Sequence, residues 1–299
     1  MSDPATLQTP TGPMPAFETR APAFQTIPFV FCSPHSGRAY PESLLAASRL
    51  SASDIRRSED LFVDHLFDFV PAIGAPFLVA HFPRAYLDVN REPYELDPRM
   101  FREPLPPFVN SSSVRVAGGL GTIPRIVAER EEIYAEKLAL AEGLERIERI
   151  YKPFHRSLES LIRLTRERFG TAIVIDCHSM PGSVRAMPGG RRPDFVVGDR
   201  FGTSASGVVV AQAIGALAAL GYDVMRNKPY AGGYITERYG RPEAGIHVVQ
   251  IEVNRYLYAD EKRFEPNRNF LALRDDLMRF AVTLAAAVDG EFNQRAAAE

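Results

Sequence analysis

The sequence has only two cysteines, Cys32 and Cys177, and no CxxC pair. Such scarcity excludes a disulfide scaffold and is typical of proteins from a reducing compartment. No run of about 18 apolar residues is present, and the N-terminus has neither the basic start nor the apolar stretch of a signal peptide. We therefore expect a cytoplasmic protein that does not cross a membrane.

An excess of charge of one sign is also lacking. The formal net charge is −2 over 299 residues and the pI is about 6.3, so no global field would recruit nucleic acid or an acidic membrane surface. Neither partner is expected, and any selectivity for an anion must be local. Apolar residues, in contrast, make up 45% of the chain, which is enough for a substantial buried core. Nothing in the sequence fixes the oligomeric state.

The first part of the chain differs in composition from the rest. Residues 1–25 carry five prolines among small and polar residues, which predicts a leader that is flexible or lies over the surface. Folding is expected to begin near Ile27. Short apolar and β-branched runs predict strands at 27–32, 76–82, 85–89, 171–176, 195–197, 222–226 and 248–253. Apolar periodicity predicts helices at 53–70, 129–168 (broken near Pro153), 206–220 and 269–287.

Strand and helix alternate along the chain, which is typical of an α/β fold. The continuous apolar character of residues 171–176 indicates a strand that is covered on both faces. We therefore predict a single three-layer α/β domain with a mixed, mostly parallel sheet. Its active site is expected beyond the carboxyl ends of the strands.

Histidine is scarce, at six residues, yet two histidines directly follow predicted strands. These are His35, in Ser33-Pro34-His35-Ser36-Gly37, and His178, in Cys177-His178-Ser179. Neutral imidazole is the commonest zinc ligand, and catalytic zinc takes three protein ligands and keeps one position open. Asp60 and Asp64 lie four residues apart on a predicted helix, so either could supply a carboxylate. A single histidine of this kind is more often a loop hydrogen-bonding group, so the hypothesis depends on the pair.

Glu252 stands inside a predicted strand, Val248-Val249-Gln250-Ile251-Glu252-Val253, whose character is otherwise that of a buried core strand. A buried carboxylate is costly without a partner or a function. Near a metal, it could take a proton from bound water and pass it to the leaving amine. The alternative is a buried ion pair with Arg255 or Arg91.

Arg84, Asn90 and Arg91 cluster near the end of a predicted strand. The planar guanidinium suits bidentate recognition of a substrate carboxylate, and one arginine could instead stabilise an oxyanion. The competing mechanism uses a nucleophile close to a histidine: Ser36, Ser179 or Cys177. The sequence has no GxSxG motif, which makes this mechanism the weaker hypothesis.

Five ordered blocks resemble the N-formylglutamate amidohydrolase family: Pro34-His35-Ser36-Gly37, Asp60 with Asp64, Asp88-Val89-Asn90-Arg91, Asp176-Cys177-His178-Ser179 and Gln250-Ile251-Glu252-Val253-Asn254-Arg255. The resemblance spans Ile27 to Tyr258. It implies the phosphorylase/hydrolase-like α/β fold of zinc carboxypeptidases and aspartoacylase, with residues 26–299 as a zinc amidohydrolase domain. It also implies hydrolysis of N-formyl-L-glutamate to formate and L-glutamate in histidine degradation.

The resemblance implies a single Zn²⁺ bound by His35 and His178. The wider zinc group often has a glutamate three residues after the first histidine, where this chain has Arg38. The carboxylate ligand must therefore come from elsewhere. Asp60 is the predicted ligand because a charge near a helix N-terminus is favourable there, and Asp64 is the reserve.

The resemblance also implies roles for the remaining positions. Glu252 would shuttle the proton, and Arg84 would stabilise the oxyanion. Asn90, Arg91 and Arg255 would hold the carboxylates of a small N-acyl amino acid substrate. Two alternatives stay open: the same chemistry on another N-acyl amino acid or small amide, and a small-molecule-binding α/β protein without catalysis.

Overall fold

Nine consecutive buried residues, Ala172–Met180, form the central strand of the fold. The structure is a computed structural model and describes residues 15–128, 131–186 and 188–296. Its strands are β1 Phe17–Arg20, β2 Phe29–Ser33, β3 Phe77–Ala80, β4 Ile126–Ala128, β5 Glu131–Glu132, β6 Ala172–Met180, β7 Phe195–Gly198, β8 Val224–Arg226, β9 Ile246–Asn254, β10 Ala259–Asp260 and β11 Glu265–Pro266. Both faces of β6 are covered, as predicted from its apolar sequence.

The α-helices are α1 Glu42–Ala47, α2 Val63–Leu66, α3 Val114–Ala117, α4 Leu140–Arg146, α5 Lys152–Phe169, α6 Gly207–Ala219, α7 Tyr234–Tyr239 and α8 Phe270–Ala296. A π-helical turn spans Ile147–Tyr151. Short 3-10 helices cover Ile55–Ser58, Val70–Ile73, Pro98–Met100, Pro188–Gly190, Arg200–Gly202, Pro242–Ala244 and Arg255–Leu257. No helix within the described residues is both long enough and apolar enough to cross a membrane.

Seven strands form one sheet in the order β1-β3-β2-β6-β9-β7-β8. β6 pairs in parallel with β2 on one side and with β9 on the other, and β7 pairs in parallel with β8. The pair of β7 with β9 is antiparallel. The predicted α/β fold with a mixed, mostly parallel sheet is therefore confirmed.

The chain forms two compact units. The first comprises Pro34–Asp60 and Val79–Leu158, with the residues up to Glu18. Its core includes Phe154, whose ring packs edge-on against those of Phe17 and Phe82, at 5.5 and 6.3 Å between centroids.

The second unit comprises Thr19–Ser33, Leu61–Leu78 and Glu159–Glu299. It contains β2, β6, β7, β8 and β9, and its helix α8 packs against α6 and α2. The helix predicted at 206–220 begins one residue later, because the Ser206 side chain caps it by accepting a hydrogen bond from Val209 N–H.

The helix predicted at 53–70 is wrong. The segment consists instead of a 3-10 turn at Ile55–Ser58, an extended stretch around Glu59 and the single helical turn α2. Phe62, just before α2, has a φ of 57°, and a left-handed residue cannot lie within a continuous right-handed helix. Asp60 therefore does not open a helix, contrary to the prediction from the sequence.

Two other predicted elements need correction. The segment 85–89, predicted as a strand, instead forms turns and irregular structure after β3. The helix predicted at 129–168 begins only at Leu140; residues 129–130 lie outside the described residues and Glu131–Glu132 is a short strand. The predicted break near Pro153 takes the form of the π-helical turn just before it, which suits a residue without an N–H group.

The predicted leader, residues 1–25, is described only from residue 15 onward. Phe17–Arg20 forms β1, an edge strand of the large sheet. Regular structure therefore begins before Ile27. The boundary of the catalytic domain at residue 26 stays a prediction.

Candidate active site

His35 lies in the loop that follows β2 and is buried. The loop is fixed by Gly37, where an added Cβ would lie 2.1 Å from the carbonyl oxygen of Phe82. Only glycine permits so close an approach. Two residues later, Ala39 N–H donates to the His81 carbonyl at 2.9 Å. The Pro34-His35-Ser36-Gly37 block is thus held against the segment that follows β3.

Both ring nitrogens of His35 face carboxylates. Nε2 lies 2.7 Å from Asp88 Oδ1, and Nδ1 lies 3.6 Å from Asp60 Oδ2. The Asp60 backbone N–H also donates to the His35 carbonyl at 3.0 Å, which places the two residues side by side. A carboxylate on one imidazole nitrogen is the usual way to orient a metal-binding histidine. Asp88 therefore orients the ring so that Nδ1 faces Asp60.

Asp88 is surrounded by donors. Arg84 Nε donates to its Oδ2 at 2.9 Å, Asn90 N–H donates to its Oδ1 at 2.8 Å, and Arg91 Nη2 lies 3.5 Å from Oδ2. Burial is the strongest influence on this carboxyl and by itself would raise its pKa. Together, Arg84, Arg91 and His35 nevertheless hold the pKa of Asp88 well below its usual value. The Asp88 carboxylate thus stays ionised and keeps its hydrogen bond to the His35 imidazole.

Sequence reasoning did not assign a role to Asp88, although the residue opens one of the blocks it singled out. The turn that brings Asn90 N–H back to Asp88 is local, and such turns are typical of aspartate. The contact with His35 joins residues 53 positions apart, and no sequence pattern announces it.

The predicted substrate-binding arginine of this block is already engaged within the protein. Arg91 Nε donates to the Leu120 carbonyl and Nη1 to the Asn90 carbonyl, both at 2.8 Å. Burial lowers the pKa of Arg91 to about 10, against the opposing effect of Asp88, so the group stays charged near neutral pH. Arg84 is more accessible, with 26% of its side chain exposed. The structure thus gathers Arg84, Asn90 and Arg91 around Asp88, and their roles toward a substrate stay predictions.

The second set of predicted residues lies on two neighbouring strands. In the parallel register of β6 and β9, Asp176 is opposite Gln250 and His178 is opposite Glu252. Side chains two residues apart on a strand point to the same face, so these four residues share one face of the sheet. His178 Nε2 lies 3.0 Å from Asp176 Oδ2, and Gln250 Nε2 donates to Glu252 Oε1 at 2.7 Å. The buried Glu252 is therefore placed beside the buried His178.

Arg255, the third predicted substrate-binding residue, is buried just after β9. Its Nε donates to Ser179 Oγ at 3.0 Å, and its Nη1 lies 3.5 Å from Glu261 Oε2. It is thereby joined to the end of β6. Its predicted contact with a substrate carboxylate stays a prediction.

Three buried residues could hold a metal ion. One ligand atom from each of His35, Asp60 and His178 lies within 4.8 Å of the others, in the part of the chain that the structure describes. Two imidazoles and a carboxylate form a donor set that suits zinc. These are the three predicted ligands. The reserve residue Asp64 is not among them, and its Oδ2 lies 3.6 Å from His65 Nε2.

The cysteine predicted as a competing nucleophile is fully buried. Burial, followed by the nearby charge of Asp176, raises the pKa of the Cys177 thiol well above its usual value. A thiol is a weak nucleophile until it ionises. The environment of Cys177 therefore favours a packing role.

The sheet and the buried His-Asp-His group define an α/β protein with three side chains that could hold a metal ion. The model of the N-formylglutamate amidohydrolase family matches residues 27–259, and the chain belongs to that family. N-formylglutamate deformylase from Pseudomonas aeruginosa is 29% identical over 240 residues, which cover 79% of this chain and 84% of that protein. The enzyme of the same name from Pseudomonas putida is 28% identical over 239 residues, covering 79% and 83%.

A solved structure extends the similarity to the fold. The N-formylglutamate amidohydrolase from Ralstonia eutropha JMP134 superposes with a TM-score of 0.85 and 33% identity, over 95% of this chain and 100% of that one. This protein is accordingly a hydrolase that acts on an amide, as the sequence predicts.

Proposed function

We propose that this protein hydrolyses N-formyl-L-glutamate to formate and L-glutamate with the help of one zinc ion. The observation that carries the proposal is the placement of Glu252 directly opposite His178 on neighbouring strands, in a chain of the N-formylglutamate amidohydrolase family. A predicted ligand and a predicted proton acceptor are thereby brought side by side. The relatives named above act, by their names, on the same compound.

The chain's own residues fit zinc. His35, Asp60 and His178 provide nitrogen, oxygen and nitrogen donors in a buried place. Each histidine also has a carboxylate near its Nε2, Asp88 for His35 and Asp176 for His178, which supports the orientation that a zinc ligand needs. When bound, zinc would polarise the amide carbonyl and lower the pKa of a bound water.

Glu252 would take a proton from the attacking water and deliver it to the leaving nitrogen. Water adds to the formyl carbon, the C–N bond breaks, and formate and the free amine leave. Gln250 Nε2 already donates to Glu252 Oε1 at 2.7 Å, which supports a fixed orientation of this carboxylate.

Arg84 would stabilise the oxyanion, since its side chain is part-exposed and Asp88 holds it by Nε. Asn90, Arg91 and Arg255 would bind the two carboxylates of the substrate. The buried guanidinium of Arg91 is fixed by backbone carbonyls, which supports a preorganised charge. We further place the enzyme in the cytoplasm, in histidine degradation; the two free cysteines support a reducing compartment.

The test is release of the free amino acid from N-formyl-L-glutamate, N-acetyl-L-glutamate and N-formyl-L-aspartate, with formate or acetate as the second product. Each is assayed before chelation, after chelation and after zinc is restored. Chelator-sensitive turnover of N-formyl-L-glutamate is expected. Turnover of only an analogue would move the substrate and keep the mechanism, whereas full activity after complete metal removal would overturn the zinc proposal.

A further inference from the structure

Gln250 lies between the 231–233 loop and Glu252, the predicted proton acceptor, and it contacts both. Gly233 N–H donates to Gln250 Oε1 at 2.8 Å, and Gln250 Nε2 donates to Glu252 Oε1 at 2.7 Å. Both side chains are buried, at 5% and 6% exposed. A continuous hydrogen-bonded path therefore runs from the backbone of the loop to the Glu252 carboxylate.

The direction of this path is fixed by chemistry. A backbone N–H can only donate, so the oxygen of the Gln250 amide must face Gly233. The NH₂ group then has to face Glu252. A donor pointed at a carboxylate stabilises the charged form and restricts the rotation of the carboxylate. The backbone of the loop thus decides what Gln250 presents to Glu252.

The loop end of the path is itself closely held. Arg200 N–H donates to the Ala231 carbonyl at 2.7 Å, and Thr236 Oγ1 donates to the Gly233 carbonyl at 2.7 Å. An added Cβ at Gly198, at the end of β7, would lie 2.8 Å from the Ala231 carbonyl carbon. These contacts hold the Gly233 N–H group in a fixed position.

We propose that Gln250 is a positioning residue, which transmits the fixed geometry of the 231–233 loop to the Glu252 carboxylate and holds it in one orientation for proton transfer. This inference rests on the proposed function of Glu252. A purely structural Gln250 would only satisfy the buried Gly233 N–H. The two roles separate because the first needs the donor on Nε2, and the second needs only the acceptor Oε1.

Gln250→Met removes both the donor toward Glu252 and the acceptor for Gly233 at similar volume. For this variant we expect kcat to fall by roughly 10- to 100-fold, since small misplacements of a reacting group have effects of that order. KM for N-formyl-L-glutamate should stay within about threefold, because substrate binding does not use this bond. Zinc content, read by elemental analysis, should not change.

The double variants show whether Gln250 acts through Glu252. In a Glu252→Gln background, Gln250→Met should lower the residual kcat by less than about twofold, because residues that work as a unit are not additive. The matched control is Gln25→Met. Gln25 also bridges main-chain groups, with Nε2 donating to the carbonyls of Ile27 and Phe29, and its loss should leave kcat unchanged.

The outcomes distinguish the inference from the function on which it rests. If Glu252→Gln keeps full kcat, the proposed function of Glu252 is wrong. If Glu252→Gln is inactive while Gln250→Met folds and retains the wild-type kcat, only the positioning role is wrong, and Gln250 is structural. Full additivity of Gln250→Met in the Glu252→Gln background would also overturn the positioning role.

Discussion

The two histidines of the candidate metal site reach the same local arrangement by different routes. Each has a carboxylate near its Nε2: Asp176 for His178 at 3.0 Å, and Asp88 for His35 at 2.7 Å. Asp176 is two residues before His178 on the same strand, so the strand geometry alone places both side chains on one face. Asp88 is 53 residues from His35 and reaches it only when two loops fold correctly.

Because Asp88 lies in a loop and Asp176 in a strand, the two aspartates are held in place by different interactions. The strand-borne pair is held by the hydrogen-bond ladders of β6 with β2 and β9. The loop-borne pair lacks such a frame, and Asp88 is instead fixed by Arg84, Arg91 and the Asn90 N–H. A loop can carry a well-placed ligand when a buried charge network replaces the sheet.

The largest effect is expected when the histidine of either region, the loop or the strand, is replaced. His35→Ala and His178→Ala should each abolish stoichiometric zinc binding and lower kcat/KM by far more than the roughly 10- to 100-fold that follows loss of an outer partner. Zinc content by elemental analysis and formate release measure the two effects. The matched control is His65→Ala, because His65 is 51% exposed and should leave both unchanged. Full zinc content in His178→Ala would contradict the predicted ligand set.

The next largest effect is expected from the two aspartates, and it tests directly whether the loop and the strand hold their histidines equally well. Asp88→Asn and Asp176→Asn should each weaken zinc binding, by roughly 10- to 100-fold as is typical for an outer carboxylate. The loss should be larger for Asp88→Asn, because that change leaves the buried Arg91 and the part-exposed Arg84 without their shared carboxylate. Competition with a chromophoric chelator gives both dissociation constants. A larger loss in Asp176→Asn would show that the strand does not hold His178 by itself.

The same contrast decides what sequence could predict. The sequence predicts both strands, with His178 just after the first and Glu252 inside the second. It does not show that β6 and β9, which are separated along the chain by β7 and β8, are neighbours; the structure shows this, together with the register that places His178 opposite Glu252. The class of fold follows from the same runs.

The sequence predicts the loop-borne part less completely. It indicates His35 and Asp60 as ligands, but it places Asp60 on a helix that the left-handed Phe62 excludes. The role of Asp88 was missed because it depends on a distant contact and on charges that act only when buried together. Local pattern carries no information about either.

A smaller effect concerns acid stability. Arg84→Gln removes one of the groups that depress the pKa of Asp88, which should cost about 1 kcal/mol in the free energy of unfolding at neutral pH. A carboxyl group whose pKa is lower in the folded than in the unfolded state stabilises the fold at pH values above its unfolded pKa of about 4. This contribution to the free energy of unfolding is lost as the pH falls through the lower folded pKa. The gap between the two proteins should therefore close as the pH falls below about 4.

Urea unfolding of the metal-free proteins across this pH range measures that gap. The matched control is Arg163→Gln, because Arg163 pairs with Glu167 through two exposed side chains and its loss should leave the free energy of unfolding unchanged across this range. If Arg84→Gln has the same stability as the wild type at neutral pH, Arg84 does not hold Asp88.

The smallest expected effect concerns the alternative nucleophile in the strand-borne region. Cys177→Ala should leave kcat within about twofold of the wild type, because burial raises the pKa of this thiol and keeps it in its unreactive form. Loss of a small buried group should cost about 1 kcal/mol in the free energy of unfolding, which thermal unfolding measures. For the same reason the native protein should react slowly with a thiol reagent at about pH 8, whereas the unfolded chain, whose thiols titrate normally, should react at once. A Cys177→Ala protein that keeps its fold and its zinc but loses turnover would reverse the assignment: the strand that carries His178 would then supply a nucleophile as well as a metal ligand, and Glu252 would have to serve the thiol and not water.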